Sequence, residues 1–408
     1  MIVISIRLGG GIRVRFVVLR IAVRCVMFLF AVALVVVSPS APASASPLKL
    51  LSIDEYVHYQ PNELGRVPVF MYHNIVADDV WRDPTVDPYM YRTYDEFWND
   101  MLWLYEHDFY LVGMNALISG HLDIPLGKHP VVFTFDDSSS LHFSVITGAN
   151  GQLEIDPNCA VGLMERFYAE YPGFGRGAHF GIVPAHKFSW PQHEQDHLFE
   201  MKVQWLMENG YEIGNHTLSH PNLAAISDED FAWTVTGPAI WADEFMGADH
   251  TANATRVLTL PFGIKPKEED NPHKVKMITE GIEYDDHRMQ LTGVLELTGG
   301  SSEVPWSKDW DPLSIPRLPV QDDALDILKS VHVEGSNPYY TSDGNPDTVT
   351  VPWPLPAAHE GKLSSRSVDA AGKVLIKYDP VTGRLIKSAH HDGIHLYSRG
   401  YLRGTEVA

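Results

Sequence analysis

The chain is poor in cysteine, and this absence limits how it can be stabilised. Only two of its 408 residues are cysteines, Cys25 and Cys159. Because Cys25 lies in the N-terminal segment discussed below, the remainder keeps one cysteine, which excludes an internal disulfide and a cysteine-based metal site. Stability must therefore come from a packed core, for which a chain with 45% hydrophobic residues is ample.

Basic residues are also scarce. The sequence has 31 Lys and Arg against 52 Asp and Glu, a formal net charge of −21. A protein with this negative charge is repelled by nucleic acid and by anionic membrane surfaces. Nucleic acid is therefore not an expected partner. A neutral or cationic partner fits better, although an acidic surface also serves solubility alone. No feature implies a protein partner.

The apolar run near the N-terminus, Val26 to Val37, is too short to span a membrane. It has 12 residues, against roughly 20 for a transmembrane helix. An arginine-rich region without acids precedes it, and small residues ending in Ala43-Ser44-Ala45 follow it. This order is typical of a secretory signal with its cleavage site. We predict that residues 1–45 are a signal peptide and that the protein is secreted or associated with the cell envelope. An uncleaved membrane anchor is the alternative.

Strand-like and helical patterns alternate after a polar lead-in linker at 46–66. Short apolar runs predict strands at 67–71, 109–112, 131–135, 178–183, 211–213 and 257–260. Helical patterns begin at Thr93, with Glu96 completing a capping box, and at Ser227, and they cover 160–170 and 194–209. Such alternation predicts an α/β fold with a parallel sheet, either open or closed into a barrel.

The character of the chain changes near Asn337, where prolines and glycines become frequent. Two runs beyond this point, Val374–Tyr378 and Arg384–Lys387, flank a turn sequence and predict a β-hairpin. We therefore predict a main domain at 67–320 and a C-terminal extension at 321–408.

Two motifs bring potential metal ligands to strand ends. The apolar run at 131–135 leads into Asp136 and Asp137, and the strand predicted at 211–213 leads into His216 and His220. In α/β folds, residues at the carboxyl ends of parallel strands meet at one edge. One Asp and two His suit a divalent metal. The second acid is then available to take a proton from water.

This hypothesis depends on how the strands end. Neighbouring residues on a strand point to opposite faces, so Asp136 and Asp137 can share a site only if the strand stops at Phe135. Pro221 disfavours a regular helix through His220 and favours a loop. An isolated Asp pair is usually a surface feature or a helix cap, and an isolated His-x-x-x-His pair is usually structural. Their joint occurrence at predicted strand ends favours the metal site.

The motifs resemble those of a known family. Thr134-Phe135-Asp136-Asp137 resembles the first motif of the polysaccharide deacetylases, also called the NodB-homology group or carbohydrate esterase family 4. The segment 214–223 is similar to the second motif, 260–263 to the third, and 69–73 to the Tyr-His strand of many members. The resemblance covers about 67–320. It implies a distorted (β/α)7-type barrel with a small C-terminal appendage, and metal-dependent removal of N-acetyl groups from amino sugars.

The resemblance also implies a role for each motif acid and histidine. Asp136 would be the general base. Asp137, His216 and His220 would hold a divalent metal, most often Zn²⁺.

The third motif would supply the rest of the site. By resemblance, the backbone N–H of Phe262 would stabilise the oxyanion, as fixed donors do in such reactions. Pro261 and Gly263 would contact the substrate, an N-acetylated glycan.

The sequence departs from the family pattern at several positions. Ser138 stands where the family usually has Gly, and Thr259 stands where an Arg normally orients the base. We predict that Arg317 replaces this Arg, with Arg256 as second choice. An Arg paired with surface acids is the alternative for both.

The late Leu-x-x-His motif, which supplies a general acid in the family, has no clear match, and His332 and His395 are the available candidates. We predict a secreted metal-dependent hydrolase that removes N-acetyl groups from chitin-, peptidoglycan- or poly-N-acetylglucosamine-like polysaccharides. Two alternatives remain: hydrolysis of a linear non-sugar amide, and glycan binding by a degenerate site.

Overall fold

The computed structural model of the chain describes residues 2–7, 13–18, 48–77, 90–246, 255–320, 325–326, 328–329 and 338–386. Two compact units are present, Met1–Pro47 and Leu48–Ala408. In the first, strands β1 (Ile2–Arg7) and β2 (Arg13–Val18) pair antiparallel. The apolar run of the predicted signal peptide lies outside the described residues. Within the described ranges, no helix combines the length and apolarity that a membrane crossing needs.

The second unit alternates strands with helices. The strands are β3 (Val69–Tyr72), β4 (Asn74–Val76), β5 (Tyr91–Thr93), β6 (Phe109–Val112), β7 (His129–Phe135), β8 (Val145–Thr147), β9 (Leu153–Ile155), β10 (His179–Ile182), β11 (Glu212–Asn215), β12 (Val257–Thr259), β13 (Ile282–Tyr284), β14 (His287–Met289), β15 (Gly293–Gly299), β16 (Ile315–Pro319), β17 (Thr348–Pro352) and β18 (Val374–Tyr378). The helices are α1 (Ile53–Tyr59), α2 (Tyr94–Glu106), α3 (Met114–Ser119), α4 (Ala160–Glu170), α5 (Phe199–Glu208), α6 (Asp228–Met246), α7 (Pro272–Glu280) and α8 (Ser365–Ala370).

Seven parallel strands close into a barrel in the order β3, β7, β10, β11, β12, β15 and β16, with β16 pairing back to β3. Strand β6 joins β7 from outside the ring and is also parallel. The predicted α/β fold of the (β/α)7 type is confirmed. The carboxyl ends of all seven strands therefore surround one mouth of the barrel.

Strand β7 is the centre of this sheet because it pairs with three others. All seven of its residues are buried, as expected for a parallel strand covered on both faces. Phe133 and Phe135 belong to a cluster that also contains Phe97 of α2 and Phe167 of α4. The apolar run that predicted this strand is thus the packing surface for the flanking helices.

Most predicted elements occur near their predicted positions. Helix α2 begins after Thr93, which forms the predicted capping box with Glu96. The segment 194–209 differs, because the α-helix begins only at Phe199, after a 3-10 turn at Asp196–Leu198. Before this turn, the side chain of Gln195 hydrogen-bonds both backbone groups of Val145 and keeps the chain out of the helix.

Strands β15 and β16 close the barrel, yet no strand was predicted at either position. Strand β15 is buried only over Gly293–Leu295 and becomes exposed at its end. Strand β16 contains Pro316 and Pro319, and proline normally argues against a strand inside a sheet. Sequence pattern alone therefore gave little signal for either.

Residues 48–66 of the predicted lead-in linker are ordered and belong to the same unit as the barrel. They contain α1, which starts with a capping box at Ser52. Further along, the Glu63 side chain is buried and accepts hydrogen bonds from the Tyr340 hydroxyl at 2.8 Å and from the Thr350 N–H at 2.8 Å. The segment therefore ties the barrel to residues far along the chain.

Residues 338–386 of the predicted C-terminal extension share the core of the barrel unit. Val349 and Val351 of β17 lie in one buried cluster with Val69 of β3 and with Trp306. Strand β18 pairs parallel with β17, and α8 lies between them in sequence. Of the predicted hairpin, the structure has an antiparallel bridge from β18 to Leu385.

Candidate active site

The two acids lie where β7 ends. Asp136 follows the last strand residue and donates its N–H to the Tyr72 carbonyl at 3.1 Å. Asp137 and Ser138 then adopt positive φ values of 80° and 52°, so the strand's alternation stops there. Ser138 is buried, and its hydroxyl accepts a hydrogen bond from the Val183 N–H at 2.9 Å. Ser138, which stands where the family that the motif resembles usually has Gly, thus fastens this turn to the end of β10.

The predicted ligand set converges at the mouth of the barrel. The Nε2 atoms of His216 and His220 each lie 3.4 Å from Oδ1 of Asp137. One ligand atom from each of the three residues falls within 4.8 Å of the others. Among the described residues, this is the one group of three or more His, Cys, Asp or Glu side chains placed closely enough to hold a metal ion.

The loop after β11 prepares both histidines for this role. Nδ1 of His216 donates to the Thr259 carbonyl at 2.9 Å, so Nε2 is the nitrogen that can bind a metal when this ring is unprotonated. The N–H of His220 donates to the Thr217 hydroxyl at 3.0 Å, and His220 itself has a φ of 57°. Burial and the neighbouring His216 lower the pKa of His220 to about 4, so its ring is unprotonated at neutral pH.

The donor set fits a divalent metal such as zinc. Two ligand atoms that each bind zinc at about 2.0–2.1 Å in a tetrahedral arrangement lie about 3.4 Å apart. The two contacts from Asp137 to His216 and His220 match this spacing. Imidazole nitrogen and carboxylate oxygen are ordinary zinc ligands, and three protein ligands leave a position open. A divalent cation at these residues is therefore consistent with geometry and chemistry.

Asp136 is held by Arg317, the residue predicted to replace the missing Arg. Two guanidinium nitrogens of Arg317 donate to the two carboxylate oxygens at 2.8 and 2.9 Å. Further bonds run to the Thr134 hydroxyl at 3.0 Å and to the Glu296 carbonyl at 2.7 Å. Burial opposes ionisation of Asp136, but the charge of Arg317, followed by that of His216, outweighs it and lowers the pKa of Asp136 to about 2.

This pair is buried on both sides. The Arg317 side chain is 0% exposed and that of Asp136 is 3% exposed. A bidentate guanidinium fixes the direction of a carboxylate as well as its charge. Asp136 is therefore an ionised, oriented carboxylate next to Asp137, the candidate metal ligand.

The third motif forms a tight turn beside His220. Phe262 has a φ of 58° and a ψ of 9° inside the short turn Pro261–Gly263. Its ring is exposed and lies 4.4 Å from the ring of His220. Gly263 has a φ of 66°, and a Cβ there would approach Leu297 to 2.5 Å. The turn thus brings the Phe262 residue to the site, while the substrate contacts of Pro261 and Gly263 stay predictions.

Of the three further predicted candidates, only Arg256 lies in the described residues, and it does not pair with Asp136 there. Arg256 makes no contact with Asp136, whose guanidinium partner is Arg317. His332 and His395 lie outside the described residues. The general acid that the resemblance implies stays a prediction.

Sequence reasoning missed one loop, which follows β10. His186 donates from Nδ1 to the backbone carbonyl of Asp137 at 2.6 Å, and its ring stacks on Trp190 with centroids 5.3 Å apart. The sequence offered one signal for this loop: both residues come shortly after the strand predicted at 178–183, and residues that follow such strands gather at the barrel mouth. His73, which ends the Tyr-His segment identified in the sequence, also lies near the acids: burial lowers its pKa, and the charges of Asp136 and Asp137 oppose this effect.

No family model matches the chain, and no curated protein sequence matches it. Similar solved structures include the Streptococcus pyogenes deacetylase PplD in complex with acetate, with 16% identity and a TM-score of 0.43, covering 65% of this chain and 97% of that one. A polysaccharide deacetylase from Bacillus cereus, BC0361, has 14% identity and a TM-score of 0.39, covering 62% and 64%. A de-N-acetylase from Aggregatibacter actinomycetemcomitans has 12% identity and a TM-score of 0.41, covering 64% and 99%. With TM-scores below 0.5, these likenesses establish neither family nor activity.

Proposed function

We propose that the chain is a metal-dependent hydrolase that removes N-acetyl groups from an amino-sugar polysaccharide. One observation carries the proposal: Asp137, His216 and His220 converge while Asp136 stays outside the ligand set, ionised and oriented by Arg317. An acid held in this way is what a hydrolase needs to accept a proton from water. The motif resemblance supplies the acetamide as the bond that is cut.

The proposed chemistry divides between the ligand set and the chain's other groups. Bound at Asp137, His216 and His220, a divalent cation supplies Lewis acidity toward a carbonyl oxygen and toward water. Asp136 accepts the proton that water gives up as its oxygen bonds to the acetamide carbon. The backbone N–H of Phe262 donates to the charge that develops on the carbonyl oxygen. The C–N bond then breaks, and the proton ends on the amine, giving acetate and a free amino sugar.

We propose zinc as the metal, because two imidazole nitrogens and one carboxylate oxygen form an ordinary catalytic zinc set. Metal analysis of purified protein tests this, with His216→Ala as the variant expected to lose the metal. A protein that carries no stoichiometric divalent metal and regains none from a zinc solution would contradict the proposal.

Acetate release tests the activity. The protein, with and without chelator, is incubated with chitin, peptidoglycan and poly-N-acetylglucosamine fragments and with a small non-sugar amide. We expect acetate from at least one glycan, lost on chelation and restored by zinc. Asp136→Asn should keep its metal and lose at least about 10²-fold in rate, the usual contribution of a general base. Asp108→Asn, an exposed change just before the amino end of β6 and so at the other end of the strands from the barrel mouth, is the matched control.

The outcomes separate the alternatives. Acetate or acid from the small amide with none from any glycan favours a non-sugar amidase. Glycan binding without release at saturating zinc favours a degenerate site, although the bidentate hold on Asp136 is a reason to expect turnover. Full activity of Asp136→Asn would refute the assignment of the base.

We further propose that the protein is exported. The support is the N-terminal sequence alone: basic region, apolar run and Ala43-Ser44-Ala45. Terminal sequencing of the protein from its producing cells tests this, and we expect a mature form that begins near residue 46. A form that retains residues 1–45 in the membrane fraction would favour the uncleaved anchor.

A further inference from the structure

Trp190 is an indole with an unusual position. It lies in the loop that follows β10, at the mouth of the barrel, and it is 39% exposed. Burying a tryptophan side chain is strongly favourable, so an indole kept in water on an ordered loop is not explained by packing. Its one described ring contact is the stack with His186, at 5.3 Å and an interplanar angle of 25°.

The loop that carries Trp190 is fastened to the acids' strand end. The Trp190 carbonyl accepts a hydrogen bond from the Ser140 N–H at 3.0 Å, three residues beyond Asp137. His186 bonds the carbonyl of Asp137 itself. The Trp190 N–H in turn donates to the His186 carbonyl at 3.0 Å. The position of the indole is therefore set by the same turn that presents the metal ligand.

The loop also holds an unfavourable backbone. Lys187 and Phe188 have consecutive positive φ values of 57° and 51°, a conformation that costs free energy in residues other than glycine. The buried ring of Phe188 and the Lys202 ammonium, which donates to the Phe188 carbonyl at 2.7 Å, stabilise it. These contacts thus fix the conformation of the loop despite its unfavourable backbone angles.

A second exposed ring lies across the histidine loop. Strand β11 lies between β10 and β12, so the His216–His220 loop is flanked by the Trp190 loop and the Phe262 turn. Phe262 is 58% exposed and contacts His220. Trp190 thus stacks on His186 on one side of the ligand set, and Phe262 packs on His220 on the other side.

We propose that Trp190 is a stacking subsite for the sugar unit next to the one that loses its acetyl group, so that the ligand is an extended glycan rather than a single sugar. The proposal rests on the proposed function. The C–H face of a pyranose is apolar and leaves water against an aromatic face. His186 is a positioning residue: its Nδ1–H is committed to a carbonyl, and its ring holds the indole plane.

Calorimetric titration of the chelator-treated protein tests the subsite without requiring turnover. The ligands are N-acetylglucosamine, its β-1,4-linked pentamer and its β-1,6-linked pentamer. We expect one pentamer to bind at least about tenfold more tightly than the monosaccharide, and Trp190→Ala to lose about tenfold of that affinity, the scale of one stacked ring. Trp190→Tyr keeps an aromatic face and should stay within about threefold of wild type.

Trp353 offers the matched control. It is also 39% exposed, but Lys377 covers its ring at 4.5 Å and it follows β17, away from the acids. Trp353→Ala should bind both pentamers as wild type does. His186→Phe keeps a ring behind Trp190 and should retain pentamer binding, whereas His186→Ala should weaken it. Melting temperatures show whether each variant is folded.

The results that overturn the subsite differ from those that overturn the activity. Equal affinity of wild type for pentamer and monosaccharide, no pentamer binding at all, or unchanged binding by folded Trp190→Ala ends the subsite. In metal-loaded protein, we expect Trp190→Ala to raise KM for the pentamer about tenfold with kcat unchanged. Pentamer binding through Trp190 without any acetate release ends the proposed activity and leaves the subsite in place.

Discussion

At the scale of single residues, Arg317 has the most demanding environment. Its fully buried guanidinium is matched by one carboxylate, one hydroxyl and one carbonyl. Removing one partner of a buried ion pair leaves an uncompensated charge, which typically costs about 3–5 kcal/mol. Such a pair is weak evidence for stability, because an apolar pair would pack as well. Its presence at the site is better explained by the orientation it gives to Asp136.

We predict that Arg317→Met lowers the free energy of unfolding by about 3 kcal/mol or more and abolishes acetate release. Arg317→Lys keeps a charge but cannot donate in the same bidentate way, so it should retain more stability while losing up to about 10²-fold in rate through misplacement of Asp136. Urea unfolding and the acetate assay measure both. Arg256→Met is the control, since Arg256 makes no contact with Asp136. A loss below about 1 kcal/mol for Arg317→Met would contradict the assigned pair.

At the scale of elements, the end of β11 is organised by Asn215. Its buried amide donates to the Val235 carbonyl of α6 at 2.7 Å, and its Oδ1 accepts from the Thr217 N–H at 2.9 Å. Thr217 has a φ of 66° and also caps the His220 N–H. One side chain therefore joins the helix, the strand end and the loop that carries both histidines.

Asn215→Ala should weaken metal binding without removing a ligand. Groups that orient metal ligands usually contribute about 10–100-fold in affinity, and we expect a loss in that range in zinc titrations against a competing chelator. Asn345→Ala is matched, since Asn345 Oδ1 accepts a comparable bond from the Asp347 N–H at 3.0 Å far from the site. Wild-type zinc affinity in a folded Asn215→Ala protein would show that the loop holds its shape unaided.

The elements also show what the sequence could predict and what it could not. Asp136, Asp137, His216 and His220 were identifiable because each follows an apolar run, and strand ends gather at one mouth. Arg317 was identifiable only as a substitute for an expected Arg.

The other parts of the site leave no periodic signal. His186 meets Asp137 through a backbone carbonyl, and a backbone acceptor has no sequence signature. Strand β16, with its two prolines, contradicts the usual strand composition. The partners of Glu63 are more than 270 residues away, so no local pattern could reveal that they meet.

At the scale of the whole molecule, residues 48–66 and 338–386 belong to the same folding unit as the barrel. Glu63 is surrounded by donors from the later segment, and burial followed by the nearby charge of Asp343 raises the pKa of its carboxyl well above the usual range. Gly65 lies so close to the later segment that a Cβ would meet the backbone carbonyl carbon of Tyr339 at 2.2 Å. The barrel strand β3 directly follows this contact, so the later segment braces the strand at which the barrel closes.

A chain that ends at residue 337 should therefore not fold cooperatively. It would leave Glu63 buried without the Tyr340 and Thr350 donors, a cost of about 1–3 kcal/mol for each unmet group, and would expose the apolar cluster around Trp306. The comparison is a chain that ends at residue 386, so that the difference belongs to 338–386 alone. Calorimetry should give one sharp transition for the longer chain and a broad or absent one for the shorter, with faster proteolysis. Equal melting temperatures of the two chains would contradict this prediction and would show that residues 338–386 are a separable appendage, as the sequence alone predicts.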